Sequence, residues 1–282
     1  MKSVLVTGAS GYIGQHVVRA LKERGARVIG VDRRRRAGDL SDSFVEADLL
    51  DPAFSLADVL TEVPDVCLHL AWRNGFDHAN TSHMLDLSAH YRFVLQVIEM
   101  GVGQVAGMGT MHEVGYWEGA IDEATPCNPQ SLYGISKDAL RRSLMLAAEK
   151  AGIKAQWLRG FYIYGDDSSS RSIFGKLLRA DAAGEKRFPF TSGKNKYDFI
   201  DVGELARQIS ACVLQDEVLG TISCCSGTPR SLADQVEEFI ASHGLNIALD
   251  YGAYPDRPYD SPGVWGDASK IHAALVAAGE VR

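Results

Sequence analysis

The stretch from Ser3 to Gly14, SVLVTGASGYIG, decides the fold. Its apolar run at 4–6 predicts a buried strand, and the apolar spacing that resumes after Gly14 predicts a helix. Between them, Gly8 permits a tight turn, Gly11 lets a pyrophosphate approach the backbone, and Gly14 lets the helix pack on the strand. The free N–H groups at the start of the helix attract phosphate. The stretch therefore predicts a dinucleotide-binding turn.

Length and composition are ordinary for a globular protein. The chain has 282 residues, of which 46% are hydrophobic and 23% are charged, so it can bury a large core. Its net charge of -7 disfavours nonspecific binding to nucleic acid. Gly8 comes too early to follow a signal peptide, and no apolar run is long enough to span a membrane. We expect a cytoplasmic protein without nucleic-acid or membrane partners.

The cysteines indicate reduced thiols. Their number is odd, no CxxC pair occurs, and no cysteine and histidine spacing suits zinc. We therefore expect neither a disulfide nor a metal site. The five residues are Cys67, Cys127, Cys212, Cys224 and Cys225.

Apolar runs alternate with helical patterns along most of the chain. Further strands are predicted at 27–31, 44–47, 66–70, 102–108 and 155–165, and helices at 79–100, 132–151 and 203–214. This alternation predicts an α/β fold, a Rossmann-type doubly wound parallel sheet with helices on both faces. The irregular pattern after residue 165 predicts a smaller C-terminal substrate lobe. The domain boundaries expected are 1–165 for the dinucleotide-binding domain, with a return segment at about 198–225, and 166–197 and 226–282 for the lobe.

The second strand ends at a residue that bears on the choice of cofactor. Asp32 lies about 20 positions beyond the glycines, where an acidic residue binds the adenosine ribose hydroxyls and favours NAD. The run Arg33 to Arg36 could instead neutralise a 2′-phosphate and favour NADP. It could also be a solvated basic turn. The sequence therefore predicts NAD(P)(H) and leaves the two forms open.

Tyr133 and Lys137 form a second motif, YGISK. Four residues apart on a helix, they lie on one face, one turn apart. A nearby ammonium favours the phenolate and lowers the pKa of a tyrosine, and an oxidised nicotinamide would help. The tyrosine could then exchange a proton with a carbonyl or an alcohol during hydride transfer.

Together, the glycine spacing and YGISK resemble the extended short-chain dehydrogenase/reductase family, the NAD-dependent epimerases and dehydratases. Similar segments occur along nearly the whole chain: HLAW at 69–72, MGTMHEVG at 108–115, FYIYG at 161–165, YDFIDV at 197–202, and RPYD at 257–260 followed by DASK at 267–270. The resemblance implies three catalytic residues: Thr110 to polarise a carbonyl, Tyr133 to supply the proton and Lys137 to hold the nicotinamide ribose. His69 within the fourth strand is better read as a core histidine.

The resemblance also implies residues for the cofactor and for a nucleotide-diphosphate sugar. The cofactor set is Gly8, Ser10, Gly11, Tyr12, Ile13, Gly14, Asp32, Arg33, Arg34, Asp48, Leu49, Leu70, Ala71, Trp72, Tyr133, Lys137 and Tyr162. The substrate set is His112, Cys127, Tyr162, Arg171, Tyr197 and Arg257. Arg171 and Arg257 could instead be surface charges, which is the better interpretation for Arg171, and Cys127 is better interpreted as part of the pocket wall.

The residues after Thr110 depart from one branch of the family. Sugar-nucleotide 4,6-dehydratases carry Asp-Glu there, whereas this chain has Met111 and His112. A methionine cannot transfer protons, so 4,6-dehydration is disfavoured. His112 and Glu113 remain candidates for proton transfer.

The overall pattern is similar to that of nucleotide-sugar 4-ketoreductases. It implies reduction of a 4-keto-6-deoxy sugar by hydride transfer from NAD(P)H, with Tyr133 as the proton donor. The alternatives are a 4-epimerase with tightly bound NAD and a non-catalytic NADP-binding sensor or scaffold. The intact catalytic set argues against the sensor. In the family the helices at 79–100 and 132–151 pair with a second subunit, which implies a homodimer.

Overall fold

A computed structural model describes residues 1–165, 172–256 and 260–280. The strands of these residues are β1 Ser3–Thr7, β2 Arg27–Asp32, β3 Ser43–Glu46, β4 Val66–His69, β5 Gln104–Thr110, β6 Gly119–Ile121, β7 Lys154–Gly160, β8 Tyr162–Tyr164, β9 Arg187–Pro189, β10 Lys196–Asp201, β11 Gly220–Cys224, β12 Pro229–Ser231, β13 Ala248–Asp250 and β14 Gly263–Gly266. The helices are α1 Tyr12–Glu23, α2 Leu56–Val59, α3 Ser82–Leu85, α4 Leu87–Glu99, α5 Leu132–Ala151, α6 Ile173–Ala182, α7 Val202–Leu214, α8 Leu232–Ser242 and α9 Ser269–Ala277.

The main sheet confirms the predicted doubly wound architecture. Its seven strands run in the order β11-β7-β5-β4-β1-β2-β3, and each neighbouring pair is parallel. The strand order reverses direction between β1 and β4, and open parallel sheets bind ligands outside the carboxyl ends of the strands at such a switch point. Thr7 pairs with His69 there. The glycine turn and the segment after β4 therefore lie side by side.

Helices cover both faces of the main sheet, because alternate strand residues point to opposite sides. In β1, Val4 and Val6 belong to one core, which includes residues of α1, α7 and α9. Leu5 belongs to the other core, which includes residues of α4 and α5. The strand is buried on both faces, as its uninterrupted apolar run predicts.

Two predicted elements differ from those observed. The helix expected at 79–100 is divided into α3 and α4, because the chain bends at Asp86, whose carboxylate is bonded to Arg73 after β4. The strand expected at 155–165 is also divided. β7 remains in the main sheet, whereas β8 leaves it and pairs with β10.

The C-terminal half contributes a third core, built from α6, α8 and neighbouring strands. A separate C-terminal lobe around this core stays a prediction. However, Ile271, Ala274 and Leu275 of α9 belong to the first core, so α9 packs with the main sheet and not with the lobe to which 226–282 was assigned. The five cysteines are free thiols, and all but Cys127 are buried.

Candidate active site

Close packing explains the glycines of the turn after β1. Gly8 has a φ of 70°, a left-handed conformation that favours glycine. A Cβ on Gly14 would lie 2.0 Å from the Gly8 carbonyl oxygen, so a side chain there would force the turn apart. Gly11 is the N-cap of α1 and brings no side-chain acceptor to the N–H groups of the first turn. These residues fit a bound pyrophosphate.

Asp32 faces this turn from the end of β2. One of its carboxylate oxygens accepts a hydrogen bond from the Ser10 backbone N–H at 3.1 Å, and the other accepts one from the Arg33 N–H at 2.7 Å. Arg33 and Arg34 are exposed, and the Ser10 hydroxyl donates to the Arg34 carbonyl at 2.8 Å. The acidic residue and the arginine run therefore meet at one corner of the turn.

The segment after β4 closes the other side of the turn. Leu70 donates its N–H to the Thr7 carbonyl at 3.2 Å, and Ala71 donates to the Thr7 hydroxyl at 3.2 Å. A Cβ on Gly8 would lie 2.8 Å from the Ala71 nitrogen. The backbone of Leu70 and Ala71 therefore packs directly against the glycine turn.

Four further cofactor candidates surround the turn. The Tyr12 hydroxyl donates to the Gly165 carbonyl and ties the start of α1 to the end of β8. Ile13 packs against the first core and Leu49 lies within the second. Asp48 is exposed, and its carboxylate accepts a hydrogen bond from the Leu50 N–H.

The three candidate catalytic residues come together at the carboxyl end of β5. Thr110 ends that strand, and its hydroxyl lies close enough to Tyr133, in the first turn of α5, to act on the pKa of the phenol. Lys137 follows one turn later, with Nζ 5.9 Å from the centre of the Tyr133 ring. Lys137 is 4% exposed and donates to the Met108 carbonyl at 2.7 Å. The predicted constellation is therefore present.

The electrostatics of Tyr133 differ from the sequence-based expectation. Desolvation raises its pKa, the Glu113 carboxylate raises it further, and the nearby Thr110 hydroxyl acts in the opposite direction. Burial also lowers the pKa of Lys137 to about 7. Within the protein alone, Tyr133 is thus held as a protonated phenol, the form that donates a proton.

Glu113, which the sequence left as a candidate proton donor, lies behind the reacting groups. It is fully buried and accepts hydrogen bonds from the Thr110 backbone N–H at 2.7 Å and from the Trp157 indole at 2.9 Å. The Arg159 guanidinium lies 3.4 Å from it. This arrangement closes a capping box with Thr110, so Glu113 fixes the backbone that carries the hydroxyl.

Two imidazoles lie beside Tyr133. The His78 ring stacks on the Tyr133 ring at 4.9 Å and meets His112 edge-on at 4.3 Å. The His78 carbonyl also accepts the Tyr133 N–H at 3.1 Å. Burial lowers the pKa of His78, and it lowers that of His112 to about 4, so both rings are neutral at neutral pH. His78 is not among the residues predicted from the sequence, although its place in the loop after β4, at the switch point, could have indicated it.

The other substrate candidates are dispersed. Tyr162 and Tyr197 are brought together, with ring centres 4.4 Å apart, between the first and third cores. The Cys127 thiol lies 3.6 Å from Arg141 and 3.7 Å from Arg159, on the side of the buried Glu113. Arg171 and Arg257 lie outside the described residues.

A cavity of about 580 Å³ opens in the lobe. Its walls combine aromatic rings with two exposed cations, Lys176 and Arg179, and the exposed carboxylate of Glu185. The lining residues are Ile173, Lys176, Arg179, Ala180, Glu185, Phe188, Pro189, Phe190, Thr191, Leu232 and Tyr254.

Comparison with known proteins gives a consistent result. Residues 4–222 match the model of the NAD dependent epimerase/dehydratase family. The dTDP-6-deoxy-L-talose 4-dehydrogenase (NAD(+)) of Aggregatibacter actinomycetemcomitans is 41% identical over 271 residues, which cover 94% of this chain and 99% of that protein. The uncharacterized UDP-glucose epimerase YtcB of Bacillus subtilis (strain 168) is 25% identical over 96% of this chain and 91% of that protein.

Among solved structures, MoeE5 in complex with UDP-glucose and NAD is similar. It shares 25% identity and a TM-score of 0.83, over 99% of this chain and 94% of that chain. Within the described ranges 1–165, 172–256 and 260–280, no helix is long and apolar enough to cross a membrane. The same residues contain no group of three or more side chains that could hold a metal ion.

Proposed function

The chain belongs to the NAD dependent epimerase/dehydratase family and is an enzyme that uses a nicotinamide cofactor, and we propose that it interconverts a nucleotide-diphosphate 6-deoxy sugar and its 4-keto form. The preferred direction is reduction of the ketone. The observation that carries the proposal is the grouping of Thr110, Tyr133 and Lys137 at the carboxyl end of β5, the strand beside the switch point between β1 and β4. The similarity to a 4-dehydrogenase of dTDP-6-deoxy-L-talose supports the sugar class.

Each of the three residues, Thr110, Tyr133 and Lys137, has a separate task in this reaction. The glycine turn and Lys137 would hold a reduced nicotinamide cofactor, which would supply the hydride for C4 of the sugar. Thr110 donates a hydrogen bond to the C4 oxygen and polarises the carbonyl, and Tyr133 transfers its phenolic proton to the same oxygen. Lys137 stabilises the resulting phenolate. Tyr133 is protonated at neutral pH, which is the form that the reduction requires, and desolvation raises its pKa further.

The proposal is tested by supplying both half-reactions. The purified protein is incubated with NADH and a dTDP-4-keto-6-deoxy sugar, and separately with NAD⁺ and dTDP-6-deoxy-L-talose, while NADH absorbance and the sugar product are followed. We expect stoichiometric exchange between cofactor and sugar. A redox-neutral inversion at C4 with cofactor retained would instead establish a 4-epimerase, the alternative that the similarity to YtcB favours.

The geometry at Asp32 favours NAD over NADP. Its carboxylate lies on the glycine turn, where it would bind ribose hydroxyls and repel a 2′-phosphate. We expect Asp32→Asn to weaken NAD binding about tenfold, since a hydrogen bond to a charged group contributes about 1.5–3 kcal/mol. Replacing both Arg33 and Arg34 with alanine serves as the control and should leave NAD affinity nearly unchanged. Isothermal titration measures the affinities for both cofactors. The assignment would be contradicted if the native protein bound NADPH more tightly than NADH and if the arginine variant lost that preference.

The helices α3 to α5 carry an unusual number of exposed apolar side chains, which supports a homodimer. These are Met84, Leu85, Leu95, Ile135 and Leu146, with exposed fractions of 43%, 76%, 36%, 40% and 52%. We expect light scattering at micromolar concentration to give a dimer, and Leu146→Asp to give a monomer, because each buried leucine contributes about 1.5–3 kcal/mol and two-fold symmetry counts it twice. Val276→Asp alters a residue that is 69% exposed on α9 and should leave the dimer intact. A monomeric native protein would refute the proposal.

A further inference from the structure

Trp72 contacts the lysine of the candidate active site. The residue follows β4, and its indole is half-buried. Lys137 Nζ lies over the indole, 3.8 Å from the ring centre. The sequence suggested only that the backbone at Trp72 lines the cofactor cleft. The contact gives its side chain a separate relation to catalysis, because an ammonium over an aromatic face is attracted by the ring quadrupole.

The indole is held in place by two histidines. Trp72 Nε1 donates to His83 Nδ1 at 3.0 Å, and His83 Nε2 bonds to the Asp77 carbonyl at 2.9 Å. An indole N–H only donates, so the His83 proton is on Nε2. The His90 ring stacks on Trp72 at 4.3 Å with an angle of 9° between the planes. The indole therefore has a fixed plane.

His90 is itself fixed from the start of the glycine turn. The Thr7 hydroxyl is bonded to His69 Nδ1 at 2.8 Å, and His69 Nε2 is bonded to His90 Nδ1 at 3.0 Å. Burial lowers the pKa of His69 to about 3 and that of His90 to about 2, so both rings stay neutral. This result confirms that His69 is a satisfied core histidine, and it leaves Lys137 without cationic neighbours among these rings.

We propose that Trp72 is a positioning residue, whose indole face holds the Lys137 ammonium at the Met108 carbonyl and keeps it charged beside Tyr133. The inference rests on the role of Lys137 in the proposed function. Few other groups near Lys137 stabilise its positive charge. The Glu113 carboxylate does so, but it is also paired with Arg159. Tyr133 is a neutral phenol, and His69 and His90 are neutral. Desolvation of Lys137 acts against the charge.

The proposal is tested by titrating Lys137 itself. The lysines are labelled with ¹³C at Cε, and the Lys137 signal is assigned by its loss in Lys137→Met. Trp72→Leu removes the aromatic face and should lower the titration midpoint by about one pH unit or more, since a desolvated cation–π contact is of that size. Trp72→Phe keeps an aromatic face and should restore most of the shift. Trp117→Leu alters another half-buried indole and should leave the midpoint unchanged.

The titration separates positioning from a purely structural role. If Trp72 served packing alone, Trp72→Leu would lower the melting temperature and leave the Lys137 midpoint in place, and the proposal would be wrong. If the leucine variant does not fold, as judged by circular dichroism, Trp72→Met takes its place with the same two outcomes. The measurement needs neither cofactor nor sugar, so a lack of turnover on nucleotide sugars would contradict the proposed function without affecting this test.

Discussion

Replacement of Tyr133 by phenylalanine is expected to reduce turnover by about 10²–10⁴-fold, the usual contribution of a positioned proton donor. The substitution removes the phenolic hydroxyl and keeps the ring that stacks on His78. The fold and the affinity for the cofactor should therefore be unchanged. Steady-state kinetics on the nucleotide sugar, with cofactor affinity measured by titration, checks both parts of this expectation.

A matched control is Tyr91→Phe, which removes a hydroxyl from α4 and should leave turnover near the native value. Near-native turnover in Tyr133→Phe would show that the proton comes from elsewhere. His112 would then be the first group to test, because its ring lies 6.2 Å from Tyr133. Glu113 would not be, because it is enclosed by Thr110, Trp157 and Arg159.

Replacement of Lys137 by methionine is expected to damage two measured quantities. Turnover should fall about as far as in Tyr133→Phe, because the phenolate loses the cation that stabilises it. Cofactor affinity should fall about tenfold or more, since hydrogen bonds from a charged group contribute about 1.5–3 kcal/mol. Kinetics and isothermal titration with NAD measure the two effects separately.

Lys150→Met is the control for this substitution. Lys150 lies in the last turn of the same helix and is exposed, so its loss removes a charge without touching the site. A Lys137→Met protein with native cofactor affinity would refute the contact between Lys137 and the ribose. The loss of turnover would then be the only evidence for a role of Lys137 beside Tyr133.

The backbone of the site could be predicted because steric rules act on short stretches. The positive φ of Gly8 and the contact of Gly14 with the Gly8 carbonyl arise within seven residues, and a glycine pattern reports them. Tyr133 and Lys137 are likewise related by one helical turn. Their pairing with Thr110 followed from the resemblance, and β5 ends at Thr110, two residues beyond the predicted strand.

Contacts between distant side chains could not be predicted in this way. Trp72 meets Lys137 from another strand end, and Glu113 meets Arg159 across β5 and β7. Neither pair has a spacing that periodicity or turn chemistry would reveal. The raised pKa of Tyr133 has the same origin, because it depends on how completely the surrounding elements exclude water.

The bend at Asp86 is a smaller example of the same limit. The apolar positions of 79–100 fit one continuous helix, whereas the structure divides the segment at Asp86, whose carboxylate is bonded to Arg73 from the segment after β4. The placement of α9 on the first core is also a tertiary choice, since an amphipathic helix fits either core.

The burial of Lys137 also has a cost in folding stability. Its pKa falls from an ordinary value of 10.5 to about 7, so between these pH values the unfolded chain holds a proton that the folded protein lacks. The free energy of unfolding therefore rises with pH through this window, and below pH 7 the full destabilisation remains. Directed evolution for heat resistance alone would discard this lysine. A substitution at position 137 that raises the melting temperature and abolishes activity would show that the lysine is retained for catalysis although it destabilises the fold.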